Sequence, residues 1–301
     1  MDRIITIPID ASLDGKSIKH VLRNEVQVSA AILTQLKKEE NGILLSGEPA
    51  FVTRKVQAGD VLQATIRDGV SKIEPREVPL EILYEDEDVI AVNKPRNMPT
   101  HPSQNHHGDT LANGLMEYFR GQNFTFRAIT RLDKDTSGVV LVAKNPLSGA
   151  ILVEEMKEGR IRKEYLAVTN GAPIPERGEI SAPIRRREGS MVLRCVAPEG
   201  KTALTEYETI SRGESLALVR LRPFTGRTHQ LRVHLGHLGT PIFGDDMYGA
   251  PQTGEPTRLH CEKVSFRHPI SREEIMVEAP IPLDMEELTE KNHFPHFPGG
   301  K

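Results

Sequence analysis

A chain of 301 residues that is 38% hydrophobic and 27% charged suits about two globular domains and excludes intrinsic disorder. Its 39 basic and 42 acidic residues give a formal net charge of −3, which excludes a uniformly basic nucleic-acid binder but leaves room for a basic groove. Cys195 and Cys261 are too few for a disulfide framework or a thiolate zinc site, and no apolar run nears the roughly 18 residues of a membrane span, so a cytoplasmic protein without a secretory leader is expected.

Residues 1–70 read as a small α/β unit. Ile18, Val21, Leu22 and Val26 fall at helical spacing, and Ser29 caps a second helix that Gly42 ends. Short strands follow at "GILLSG" and "VLQATI", with the turn Gly59–Asp60 between them. The polar, proline-bearing residues 71–80 read as a linker. A second unit, 81–288, opens with a buried strand over Val89–Val92 that Pro95 ends. "GDTLANGLMEYF" is predicted as a helix capped by Asp109 or Thr110. A strand over 138–144, a helix over 146–158 and a strand at "EYLAV" come next. Then follow strands at "TALTEYETI" and "LALVRLRPF", a helix at "THQLRVHLGHLG", and strands at "EKVSFRHP" and "EEIMVEAP". The order does not alternate strictly, so an α+β domain on a mixed, mainly antiparallel sheet is expected. Residues 289–301 read as a flexible tail.

Three stretches carry chemistry. In "TRLDKDTSG", Asp133 precedes a turn cluster; it is a turn aspartate unless Asp135 fills that role and leaves Asp133 free. In "LRPFTGRTHQLRVHLGHLGTPIFGD", Arg227 and Arg232 are five apart, about 140° around a helix, so only one can point squarely into a small site. Plain surface arginines are the alternative. In "RKEYLAV", Tyr165 is either a core tyrosine or a platform for a nucleobase. Arg185, Arg186 and Arg187 form a solvated loop or a contact to RNA backbone. His234 and His237 lack the acidic partner of a zinc site, so no metal is expected.

In order along the chain, "LYEDEDVIAVNKPRNMPTHPS", "RLDKDTSGVVLVAKN", "KEYLAV", "ALTEYETI", "PFTGRTHQLRVHLGHLGTPIFGD" and "RLHCEKVSFRHP" resemble the motifs of the RluA-type family of RNA pseudouridine synthases across nearly all of 80–285. The resemblance implies an isomerase that turns specific uridines of RNA into pseudouridine on a flipped-out nucleotide, without cofactor or metal. The implied partner is RNA, ribosomal RNA before transfer RNA, and the implied state is a monomer.

Residue by residue, the resemblance makes Asp133 the essential aspartate, Tyr165 the ring that stacks on the target uracil, and Arg232 the cation paired with Asp133. Arg131 fills the space the base leaves, Leu231 packs in the pocket, and Arg227 is a candidate contact to substrate phosphate. Asp133 is then expected to stand outside the turn that Asp135, Thr136, Ser137 and Gly138 shape. Thr130 stands where the family commonly carries a His that helps position the flipped nucleotide, which makes it a substrate-binding candidate. Residues 1–70 resemble, in their helix–helix–strand order and "VQAGD" turn, the small RNA-binding module named after a small-subunit ribosomal protein. A non-catalytic RNA-binding protein on the same fold and a base-excising N-glycosylase are the rival readings. The intact set Asp133, Tyr165 and Arg232 favours the isomerase.

Overall fold

The computed structural model describes residues 1–295. The N-terminal unit runs β1 (Arg3–Pro8), α1 (Ile18–His20, continued by a π-helical turn Val21–Glu25), α2 (Ala30–Leu36), β2 (Ile43–Leu45), β3 (Glu48–Pro49) and β4 (Val61–Ile66). Its strands lie in the order β1-β4-β2-β3. Ser29 caps α2 as expected, its side chain accepting from the Ile32 N–H. Leu22, Leu33, Leu36, Leu45 and Leu62 fill the space between helices and sheet.

The second unit runs β5 (Glu81–Glu85), β6 (Val89–Lys94), α3 (Leu111–Tyr118), β7 (Ser137–Ala143), α4 (Pro146–Lys157), β8 (Arg162–Asn170), β9 (Arg177–Ser181), β10 (Ile184–Arg186), β11 (Arg194–Val196), β12 (Leu204–Arg212), β13 (Leu216–Pro223), α5 (Gln230–His237), β14 (Leu259–Arg267), β15 (Glu274–Glu278) and α6 (Leu283–Lys291). Nine strands form one sheet, ordered β5-β6-β7-β14-β8-β13-β12-β9 with β15 beside β14. Its β7–β14 join is parallel and its other pairings are antiparallel. This is the α+β class that the element order implies. Of the two cap candidates for α3, Thr110 is the cap, and it forms a capping box with Asn113.

One rung of the sheet organises the site. Lys94 pairs with Gly138, Gly138 with Cys261, Cys261 with Tyr165, and Tyr165 with Leu221. Residues opposite one another share a face, so the Lys94, Cys261 and Tyr165 side chains stand on one side of the sheet. Gly138 has φ +113°, and a Cβ there would fall 2.2 Å from the Cys261 carbonyl oxygen. No side chain fits between β7 and β14 at this point, which is why the second residue of the strand is glycine.

One expectation is corrected: residues 289–301 are expected as a loose tail, but α6 continues to Lys291, with Thr289 buried and Met285 packed with Leu166, Val168 and Leu218. Residues 296–301 of that expected tail lie outside the described residues. Along the expected linker, Ile73, Val78 and Leu80 pack on the second core, and Asn113 Nδ2 donates to the Glu74 carbonyl at 2.8 Å. Leu147 and Ile151 of α4 belong to the N-terminal core, so the two units share a hydrophobic seam. No helix among the described residues is long and apolar enough to cross a membrane.

Candidate active site

Asp133 lies on the loop before β7, and neighbouring residues pin that loop at three points. Thr130 Oγ1 accepts from the Leu141 N–H at 2.9 Å. Thr100 Oγ1 donates to the Leu132 carbonyl at 2.9 Å, and the Leu132 side chain is buried in the core. Lys94 Nζ is fully buried and donates to the carbonyls of Met98 at 2.8 Å, Pro95 at 2.9 Å and Lys134 at 3.3 Å. Burial pushes Lys94 down to about 7, against the opposing pull of Asp133 and Asp135. A backbone held at 130, 132 and 134 gives residue 133 a fixed position.

The Thr136 N–H donates to the Asp133 carbonyl at 3.2 Å. Asp133 therefore opens the turn, contrary to the expectation that it stands outside it. An aspartate at this position usually bonds to the turn backbone. Here the carboxylate has no hydrogen bond or ion pair among the described residues.

A cleft of about 1060 Å³ opens over the rung, walled by Arg131, Asp133, Tyr165, His229, Leu231 and Arg232. Tyr165 is 6% exposed. Its burial raises the phenol pKa well above the ordinary tyrosine range, with Cys261 beside it and the Asp133 charge adding to the effect. Arg131 is exposed and has no hydrogen-bond partner among the described residues. Leu231 is buried in the first turn of α5.

The expected Arg232–Asp133 pair is not present. Arg232 Nε and Nη2 donate to the two oxygens of Asp245, each at 2.7 Å. The physical reason is burial: a guanidinium 3% exposed needs an equally buried counter-charge that satisfies its donors. Asp133 acts on Arg232 through space, and Arg232 Nη1 has no hydrogen bond among the described residues. Arg227 precedes α5, so no helical angle separates it from Arg232. Its Nε donates to the Thr202 carbonyl at 2.9 Å. Thr130, expected to meet substrate, is 2% exposed, and its hydroxyl is engaged with the β7 backbone. On the β10–β11 hairpin, Arg185 pairs with Glu199 at 2.7 Å, while Arg186 and Arg187 are exposed. His234 is a core histidine between Thr205 Oγ1 and the Ala182 carbonyl.

Sequence reasoning missed Lys94, Thr100, Asp245 and Tyr248 as parts of this site. A signal existed for Asp245: an arginine inside an apolar helix needs an acid, and "TPIFGD" supplies one soon after the helix.

The RNA pseudouridylate synthase family model matches residues 88–237. YjbO, an uncharacterized RNA pseudouridine synthase of Bacillus subtilis, is 37% identical over 277 residues, 89% of this chain and 97% of that protein. Ribosomal large subunit pseudouridine synthase D of Haemophilus ducreyi is 36% identical over 246 residues, 76% of this chain and 75% of that protein. Among solved structures, human RNA pseudouridylate synthase domain containing 4 matches with TM-score 0.60 and 27% identity, over 72% of this chain and 94% of that one. The chain belongs to the RNA pseudouridine synthase family. It is an isomerase that converts uridine in RNA to pseudouridine.

Proposed function

We propose that Asp133 performs this isomerisation and that the RNA is ribosomal. The observation that carries the first part is a carboxylate on a pinned loop, at the cleft wall, with no partner of its own. The reaction breaks the N1–C1′ bond and forms a C5–C1′ bond, so a carboxylate placed at C1′ can attack it or assist loss of a neighbouring proton. Arg232, held by Asp245, lines the same cleft and acts on Asp133 through space rather than by a direct pair. Tyr165 offers a ring face for the base, and stacking of this kind is worth about 1–3 kcal/mol. Arg131, unpaired at the cleft mouth, takes the place of the extruded base, whose unstacking costs a few kcal/mol.

Support for a ribosomal substrate comes from relatives whose name is ribosomal large subunit pseudouridine synthase D. A second basic surface fits a large RNA. The Ile18 N–H donates to the Arg54 carbonyl at 2.9 Å, which sets the exposed Lys16 and Lys19 beside the exposed Arg54 and Lys55. With Arg186 and Arg187, these cations are our candidates for phosphate contacts. The cytoplasm is the compartment that fits such a substrate.

The test is pseudouridine mapping of total RNA from cells lacking the protein. A ribosomal site should be missing, restored by the wild-type chain and not by Asp133→Asn. Missing transfer-RNA sites alone would replace the substrate, and restoration by Asp133→Asn would remove the aspartate from the chemistry.

A further inference from the structure

His229 heads α5 with φ 56° and ψ 21°, and its side chain makes no cap hydrogen bond to the helix. N-caps favour Ser, Asp or Asn on extended backbone, and few non-glycine residues adopt left-handed backbone. Capping does not account for a histidine here, although His adopts left-handed backbone more readily than most non-glycine residues.

The imidazole is instead fixed by Tyr248, whose Oη lies 2.7 Å from Nδ1. That oxygen also accepts the Arg194 N–H at 3.1 Å, and a phenol proton directed at Nδ1 makes the ring the acceptor. A neutral imidazole that accepts at Nδ1 carries its own proton on Nε2. Tyr248 is anchored by its N–H to the Asp245 carbonyl at 3.2 Å, and its ring lies 5.2 Å from the Arg232 guanidinium carbon. The turn 245–248 thus fixes both Arg232 and His229. Burial lowers the His229 pKa, opposed by the nearby Asp133 charge, so the ring is neutral in the ordinary working range.

We propose that His229 is a catalytic hydrogen-bond donor whose Nε2–H contacts a carbonyl oxygen of the target uracil, with Tyr248 as the positioning residue that fixes its tautomer. The proposal rests on assigning the isomerisation to this cleft. When N1–C1′ breaks, the bonding pair stays with the uracil and charge spreads onto its carbonyl oxygens, whichever way Asp133 acts. The donor's hydrogen bond therefore strengthens as the bond breaks. The pair then returns through C5, forming C5–C1′ and breaking any Asp133–C1′ bond or, on the elimination route, returning the sugar proton; the C5 proton then passes to water and N1 takes up a proton from water, which leaves a neutral pseudouracil. A neutral N–H suits a carbonyl; a phosphate would be better met by a cation.

His229→Gly adopts the left-handed backbone without strain, so it is expected to unfold no lower than wild type. Single-turnover conversion of a ribosomal RNA fragment is expected to slow on the order of 100-fold, with RNA affinity nearly unchanged and part of the rate restored by added imidazole. Tyr248→Phe is expected to slow conversion and to shift the His229 tautomer seen by nitrogen NMR. A His229→Gly variant at the wild-type rate overturns the proposal, as does a slowed variant that imidazole does not restore. Asp133→Asn run in parallel separates the two claims. An active Asp133→Asn defeats the aspartate assignment, and an inactive one beside a fully active His229→Gly defeats the histidine alone.

Discussion

Arg232 and Asp245 face each other with 4% and 0% of their side chains exposed. Removing one member of so buried a pair leaves the other charge unpaired, which costs about 3–5 kcal/mol. Asp245→Asn is therefore expected to lose about 3 kcal/mol of unfolding free energy in a denaturant titration and to stop turnover. A loss below about 0.5 kcal/mol, typical of a surface change, would contradict this role for the pair. Lys94 makes a second residue-scale prediction. Burial holds it at about 7 in the folded chain, against an ordinary 10.5. Between those values the unfolded chain holds a proton that the folded chain has released. Lys94 therefore makes stability rise with pH across that window, by on the order of 1 kcal/mol per pH unit, and adds no slope below it. Denaturation midpoints across the window should rise more steeply in wild type than in Lys94→Met. Parallel curves would refute the assignment of a depressed lysine.

At the scale of elements, the site depends on how closely β7 and β14 approach. They pair in parallel at only two positions, His260 with Ser137 and Cys261 with Gly138. Gly138→Ala puts a methyl group into the Cys261 backbone at a positive φ. The cost should be about 3 kcal/mol or more, read as a fall in the thermal midpoint together with lost activity. An unchanged midpoint would mean that the join is looser than described. Legibility in the sequence followed the same physics. Elements with a full apolar period or a capping residue, such as α2, α3, β6 and β7, could be read directly. β1 could not, because Ile4 is 52% exposed while Ile5 is buried, leaving too short an alternation. β10 and β11 are three residues each, below what periodicity can detect. α6 is not legible as a helix, and its end from 289 reads as tail, because only Met285 and Thr289 are buried. Within the site, motif wording brought Asp133, Tyr165, Leu231 and Arg232 to one cleft. The Asp245 partner, the Tyr248 relay and the loop-pinning Thr100 and Lys94 arise from tertiary contacts that no local pattern encodes.

Over the whole molecule, the N-terminal unit is seated on the catalytic unit by more than chain connection. Leu147 and Ile151 enter its core. Arg3 bonds to Asp88 at 3.0 Å, and Arg127 Nη1 bonds to Asp68 at 2.9 Å. The N-terminal unit and the cleft are thereby held in fixed relation, which would suit the large RNA proposed above if it touches both. The central claim remains the unpartnered carboxylate. Its most direct test is single-turnover conversion by Asp133→Asn on a ribosomal RNA fragment, with binding measured on the same preparation. RNA binding near the wild-type level and no pseudouridine are expected. Full pseudouridine yield from that variant would contradict the claim.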